Sequence, residues 1–131
     1  AAGNMEMKAG AAFELAWRND ELTDPPGQRP PGFPEENRMQ SRIVECDPPR
    51  KLVFAWQGSG DVSFEIEPKG DEVLLTLTHR RLPDRAMLVK VASGWHMHLD
   101  LLVAPASGAE ATPFWDGWNR LREDYERRIP A

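Results

Sequence analysis

Cysteine is nearly absent: Cys46 is alone among 131 residues, so no intramolecular disulfide can form, and a reducing compartment, the cytoplasm, is the expected location. No apolar run approaches the roughly 20 residues that span a bilayer, and Ala1 to Lys8 lacks the apolar core and flanking charge of a signal peptide; no membrane partner is expected. Basic side chains are in deficit. Sixteen Lys and Arg against 21 Asp and Glu give a formal net charge of −5, and the basic residues are scattered apart from short pairs such as Arg80-Arg81 and Arg127-Arg128, which read as solvated surface. Nucleic-acid binding depends on clustered cations that neutralise phosphates, so no nucleic-acid partner is expected. Histidine is also scarce. His96 and His98 lie two apart on a helical pattern, about 200° around the axis, and cannot chelate one ion together. Each is expected to face water or a polar contact, and neither a metal nor a cofactor is expected. No nucleophile elbow and no glycine-rich phosphate loop occurs; Gly58-Ser59-Gly60 reads as a hairpin turn.

What is present is a globular composition, 40% hydrophobic and 28% charged with five Trp, in a length that suits one domain, residues 1–131. Phe13 to Arg18 alternates large apolar side chains in the manner of a half-buried strand. Asn19 to Asn37, carrying Pro25, Pro26, Pro30, Pro31 and Pro34, excludes helix and central strand and reads as a long mobile loop. Strands follow at Arg38 to Cys46, closed by the Asp47-Pro48-Pro49 turn, and at Lys51 to Trp56. In the next strand Val62, Phe64 and Ile66 alternate with Ser63, Glu65 and Glu67. Pro68 to Asp71 turns the chain into Val73 to Arg80, with Val73, Leu75, Leu77 and His79 on one face. Short turns between these later strands predict an antiparallel meander.

After Pro83 the period changes to 3.6. Leu88, Val91, Ala92, Trp95, Leu99 and Leu102 predict an amphipathic helix from Asp84 to about Val103, roughly 30 Å long, ended by Pro105 to Gly108. Thr112-Pro113 reads as an N-cap and first-turn proline opening a last helix, Phe114 to Arg128, striped by Trp115, Trp118, Leu121, Arg122 and Tyr125. The expected architecture is α+β: a curved antiparallel sheet wrapped around a long C-terminal helix, with a short terminal helix after it.

Two sets of residues carry chemistry. His79 falls on the apolar sheet face near a strand end, where it either bonds within the rim of the core or points into a cavity. Phe13, Trp17, Phe54, Trp56, Phe64 and Trp95 form an aromatic set larger than packing alone demands, as apolar pockets do. With Leu75, Leu77 and His79 they are the candidate ligand-binding residues. The expected function is binding of a hydrophobic or amphipathic small molecule in a cavity between sheet and helix. A protein-interaction module using an exposed Trp115/Trp118/Tyr125 stripe, which leaves a homodimer open, is the first alternative. A small cyclase- or hydrolase-like enzyme using His79 as general acid or base is the second, although no catalytic set accompanies that residue.

Lys51-Leu52-Val53-Phe54-Ala55-Trp56, the hairpin ending Leu75-Thr76-Leu77-Thr78-His79, and the helix centred on Ser93-Gly94-Trp95 with Leu99-Asp100 together resemble a known family. It is the bacterial branch of the activator of 90-kDa heat-shock-protein ATPase homologues, in the START-related helix-grip (SRPBCC) superfamily. The resemblance covers Gly10 to about Val103, and Gly94-Trp95 and Thr78-His79 are its most specific parts. It implies a helix-grip fold with Trp56, His79 and Trp95 at or near a cavity between sheet and helix. It also implies a further strand and two short helices ahead of Phe13 to Arg18, which are not in this sequence; Phe114 to Arg128 resembles an extension of some members. Family relatives stimulate a chaperone, but no chaperone-docking motif is recognisable here, and a fold of this kind hosts many activities.

Overall fold

The computed structural model of the protein describes residues 3–56, 60–107 and 112–130. Alternating apolar side chains produce five strands: β1 (Ala12–Trp17), β2 (Asn37–Asp47), β3 (Lys51–Ala55), β4 (Asp61–Lys69) and β5 (Glu72–Arg80). They form one sheet in chain order, and the β2–β3, β3–β4 and β4–β5 pairs are antiparallel. The two helices are α1 (Arg85–Ser107) and α2 (Phe114–Arg128), and a short 3-10 turn spans Asn19–Glu21. The contacts divide the chain into two compact units. One holds residues 1–17 and 38–82, the other residues 18–37 and 83–131.

In the sheet unit, register follows the hydrophobic pattern. Ile43 faces Phe54, Phe54 faces Val62 and Val62 faces His79; Leu52, Phe64 and Leu77 make the next row, then Ile66 with Leu75. A β-bulge between Ile43 and Glu45 leaves Val44 as the extra residue, and it is exposed although apolar. Pro68 lies within β4 opposite Val73, beyond the residues that β3 pairs, where its missing N–H costs no bond to that strand. Gly70 takes φ +63° in the two-residue turn, a conformation that favours glycine. The turn read at Gly58-Ser59-Gly60 lies largely outside the described residues.

The helical unit departs from the sequence reading in four respects. The first is the Pro-rich segment, read as a mobile loop, which is tied to α2 between Asp20 and Phe33. Trp115 Nε1 donates to Asp20 Oδ1 at 2.6 Å, and Arg29 pairs with the other oxygen of Asp20 at 2.5 Å. The Trp115 backbone N–H donates to the Pro26 carbonyl, Gln28 N–H to Asp116 Oδ1, and Asn119 Nδ2 to the Gln28 carbonyl. Gly27, at φ +82°, passes so close to Asp116 that a Cβ would lie 2.7 Å from its Oδ1.

The second concerns helix ends. Thr112 does not cap α2: Thr23, 91 residues earlier, accepts the Phe114 N–H on its hydroxyl at 2.8 Å, because an orphan first-turn donor can be satisfied from anywhere in the fold. At the other end the Arg85 guanidinium donates to the carbonyls of Glu126, Ile129 and Pro130, and Asp84 caps α1 through the Met87 N–H.

The third is length. α1 runs to Ser107, two residues past Pro105, which removes one bond of the last turn without stopping it.

The fourth is which stripe is buried. Val89, Ser93 and Met97, spaced at i, i+4, are 4, 0 and 2% exposed, whereas the predicted stripe is half-buried at best, with Leu88 and Leu102 exposed. α1 thus has two apolar sides, and periodicity singled out the less buried one. Met97 joins a core cluster with Phe114, Trp115, Trp118 and Leu121, against which Phe33, Leu101 and Tyr125 pack. Gly117 lets the helices approach, since a Cβ there would meet Met97 Sδ at 2.5 Å. The Trp115/Trp118/Tyr125 stripe is therefore not exposed: Trp115 and Trp118 are 2 and 4% accessible, which removes the motive for a partner surface there.

Candidate functional site

On the sheet unit, strand alternation and register bring together the aromatic residues of β1, β3 and β4. Phe13 meets Phe54 edge-on with ring centroids 5.5 Å apart, and Phe54 stacks on Phe64 at 6.0 Å. Trp17 meets Trp56 at 5.6 Å, and Trp56 lies 6.4 Å from Phe54 and 4.8 Å from His79. Six sequence-nominated residues thus form one continuous chain of rings. Leu77 and Leu75 continue the same face along β5, opposite Phe64 and Ile66. Phe13 and Phe54 are buried, whereas Trp17, Trp56, Phe64, Leu75, Leu77 and His79 are half-buried, so most of the chain keeps accessible surface. Trp95, the ninth candidate, belongs to α1 in the other unit, its ring 6.4 Å from that of His98.

Burial pushes the His79 imidazole below its ordinary pKa of 6.5, and the nearby Asp61 carboxylate partly opposes this. His79 is accordingly neutral at pH 7. Asp61 is itself paired with Arg81 at 2.7 Å. Ser41 donates its hydroxyl to the Ala55 carbonyl. By alternation Ala12, Glu14, Gln40, Arg42 and Ala55 belong to the reverse face. They border an open depression of about 630 Å³ whose wall Phe13, Ser41 and Trp56 also reach. Its carboxylate, Glu14, is held by Arg38 at 2.6 Å and Gln40 at 3.2 Å, which makes that side polar.

The other two histidines have structural surroundings. His98 Nδ1 donates to the Gly94 carbonyl at 2.7 Å, its ring meets Phe114 edge-on at 5.2 Å, and burial lowers its pKa despite that bond. His98 thus makes the polar contact expected of it through Nδ1, while its Nε2 is buried with no hydrogen-bond partner among the described residues. His96 fits the expectation, with Nδ1 accepting from the Tyr125 hydroxyl at 2.8 Å and Nε2 3.6 Å from Asp100. Among the described residues no group of three or more His, Cys, Asp or Glu could hold a metal ion, and no helix is long and apolar enough to cross a membrane.

Sequence reasoning missed the polar anchors of the helical unit, Asp20, Thr23 and Arg85. Their partners in or next to the helices lie 41 or more residues away, and no local pattern marks such pairs.

Comparison with known proteins agrees with the fold. The chain is 33% identical to a Bordetella parapertussis protein solved by NMR, with a TM-score of 0.76, over 98% of this chain and 71% of that one. It also resembles the crystal structure of CalU16 from Micromonospora echinospora, at 24% identity and a TM-score of 0.56, over 92% of this chain and 88% of that one, a likeness of fold alone. No curated protein matches. The fold class is α+β helix-grip, and this kind of fold supports a ligand-binding or co-chaperone-like module in general. The profile of the family described as Activator of Hsp90 ATPase homolog 1-like protein matches residues 1–106, and the chain belongs to that family.

Proposed function

We propose that the protein binds a hydrophobic or amphipathic small molecule on the aromatic face of its sheet. The observation that carries this reading is the unbroken run Phe13–Phe54–Phe64 with Trp17–Trp56–His79, most of it half-buried. Rings on a sheet supply large apolar area with few rotatable bonds, so a bound ligand loses little side-chain entropy in its partner. His79, on the same face beside Trp56, adds a polar edge to an otherwise apolar site. A chaperone-directed role, as the family name suggests, has no support from the Trp115/Trp118/Tyr125 stripe, because Trp115 and Trp118 are core and Tyr125 packs against them.

Native mass spectrometry of protein purified from its own host tests the reading, followed by calorimetric titration of the ligand found. A co-purified apolar molecule whose affinity falls at least tenfold in Trp56→Ala is the expected result. Ligand-free protein that also ignores a panel of aromatic and aliphatic amphiphiles would end the proposal.

A further inference from the structure

Away from the aromatic sheet face, the helical unit carries three chemically active side chains in series. His96 and Asp100 stand one turn apart on α1, at i and i+4, and so project from the same side of the helix. Tyr125 comes to them from α2: its hydroxyl lies 2.8 Å from His96 Nδ1, and the two rings meet edge-on with centroids 5.8 Å apart. Asp100 Oδ2 lies 3.6 Å from His96 Nε2. A neutral imidazole holds one proton, and the nitrogen that keeps it is set by the partner each nitrogen meets. Here the carboxylate draws the proton to Nε2, which leaves Nδ1 bare to accept from the Tyr125 hydroxyl. The order is nucleophile, base and orienting acid, with the base in reach of the proton it removes. These groups are also held in place. The Tyr125 ring packs against the core cluster of α1 and α2, and Arg85 fastens the end of α2 just beyond it through the carbonyls of Glu126 and Ile129. The reacting edge stays open, since the His96 and Asp100 side chains are 42 and 54% exposed. A hydrogen bond that only joined two helices would need no carboxylate behind the imidazole.

We propose that Tyr125 is a nucleophilic site that accepts acyl groups from activated donors, aryl esters and acyl phosphates, with His96 as general base and Asp100 as a positioning residue. The phenol oxygen bonds to the acyl carbon, its proton passes to His96 Nδ1, and the bond from that carbon to the leaving oxygen breaks. The leaving group departs with the electron pair and takes the proton back from His96. Asp100 stabilises the intervening imidazolium by its charge. The product is itself an aryl ester, so only donors at least as activated as a phenyl ester transfer to it, which excludes alkyl esters and amides. Tyr125 is the only tyrosine in the chain, so a tyrosyl ester has a single possible address.

Treatment of the full chain with para-nitrophenyl acetate, followed by peptide mass spectrometry to locate the acetyl group, tests this. Cys46→Ser serves as the background, so that the one thiol does not compete. Tyr125 is expected to be acetylated at least about tenfold faster than N-acetyltyrosinamide in the same solution, since a positioned base contributes on the order of a hundredfold or more. His96→Ala should remove that advantage, and added imidazole should restore part of it. Asp100→Asn should slow the reaction by about threefold or more while Asp100→Glu recovers most of the rate, a difference that a purely structural role would not produce. Tyr125→Phe, which keeps the ring against the core, should abolish the adduct and leave the thermal melt nearly unchanged. Acetylation of Tyr125 no faster than the model compound, an undiminished rate in His96→Ala, or adducts on lysines alone would each overturn the proposal. The first and last of these are read on chains that keep all three side chains, so they decide the matter even if a substituted chain fails to fold.

Discussion

Trp115 and Trp56 sit in aromatic clusters of similar composition, yet their surroundings differ. Trp115 is 2% exposed, donates its indole N–H to Asp20, and touches Phe33, Phe114 and Trp118, with centroids 4.9 to 5.8 Å away. Trp56 is half-buried between Trp17, Phe54 and His79 on a sheet face that keeps accessible surface. One cluster is sealed, and its polar edges are fastened to the strap that covers it. The other is not sealed to the same degree. The comparison teaches that ring count alone does not locate a binding site; what separates a core from a candidate site is how completely the rings and their polar edges are already satisfied.

The largest effect that could break this contrast is truncation of the rings themselves. Phe114→Ala should cost about 3–5 kcal/mol in urea unfolding, whereas Trp56→Ala should cost about half as much, since its ring is only half-buried. Equal losses would erase the distinction between sealed and open clusters. Next in size is the polar fastening. Asp20→Ala strands Trp115 Nε1, removes the closer of the two carboxylates on Arg29, and should cost about 1–3 kcal/mol. Glu14→Ala, which removes an exposed ion pair from the sheet, should change stability by less than about 1 kcal/mol.

A smaller effect separates the two buried histidines by pH. His79 and His98 both have folded-state pKa values below 6.5, so the unfolded chain binds more protons as pH falls through 6.5, and stability should decline there until the folded values are passed. Thermal melts between pH 7.5 and 5 should show this decline, and His98→Asn, which retains a donor for the Gly94 carbonyl, should flatten it. Asp61 opposes the shift of His79 by charge, whereas a backbone carbonyl opposes that of His98. Added salt should therefore steepen the His79 contribution. The smallest effect is a gain. A Cβ on Gly94 would make only an ordinary 3.9 Å contact with Trp118 Nε1, so Gly94→Ala should raise stability by about 0.5–1 kcal/mol through reduced chain entropy. A loss would show that the two helices are packed more tightly there than the contact implies.

Much of the sheet was legible because its signal is local. Val62, Phe64 and Ile66 alternate with polar residues, and a two-residue turn fixes the register of β4 on β5, so the face shared by Leu75, Leu77 and His79 follows from the period of a strand. The aromatic candidates on β1, β3 and β4 followed for the same reason, and the structure links them ring to ring. The helical unit was less legible. α1 is apolar on two sides, and a 3.6 period cannot say which side meets α2. Proline and glycine in residues 19–37 report correctly that no helix or strand forms there, but an irregular chain can still be fastened.

The sequence alone determined the α+β class, the five strands, the meander of the last four, the two helices and the residues of the aromatic sheet face, because each depends on spacing within a few residues. Only tertiary structure decided that the Pro-rich segment is a strap, that Thr23 caps α2, and that the Trp115/Trp118 stripe is core. Those outcomes depend on hydrogen bonds and burial between residues as many as 95 positions apart, and such pairings leave no periodic trace in the chain.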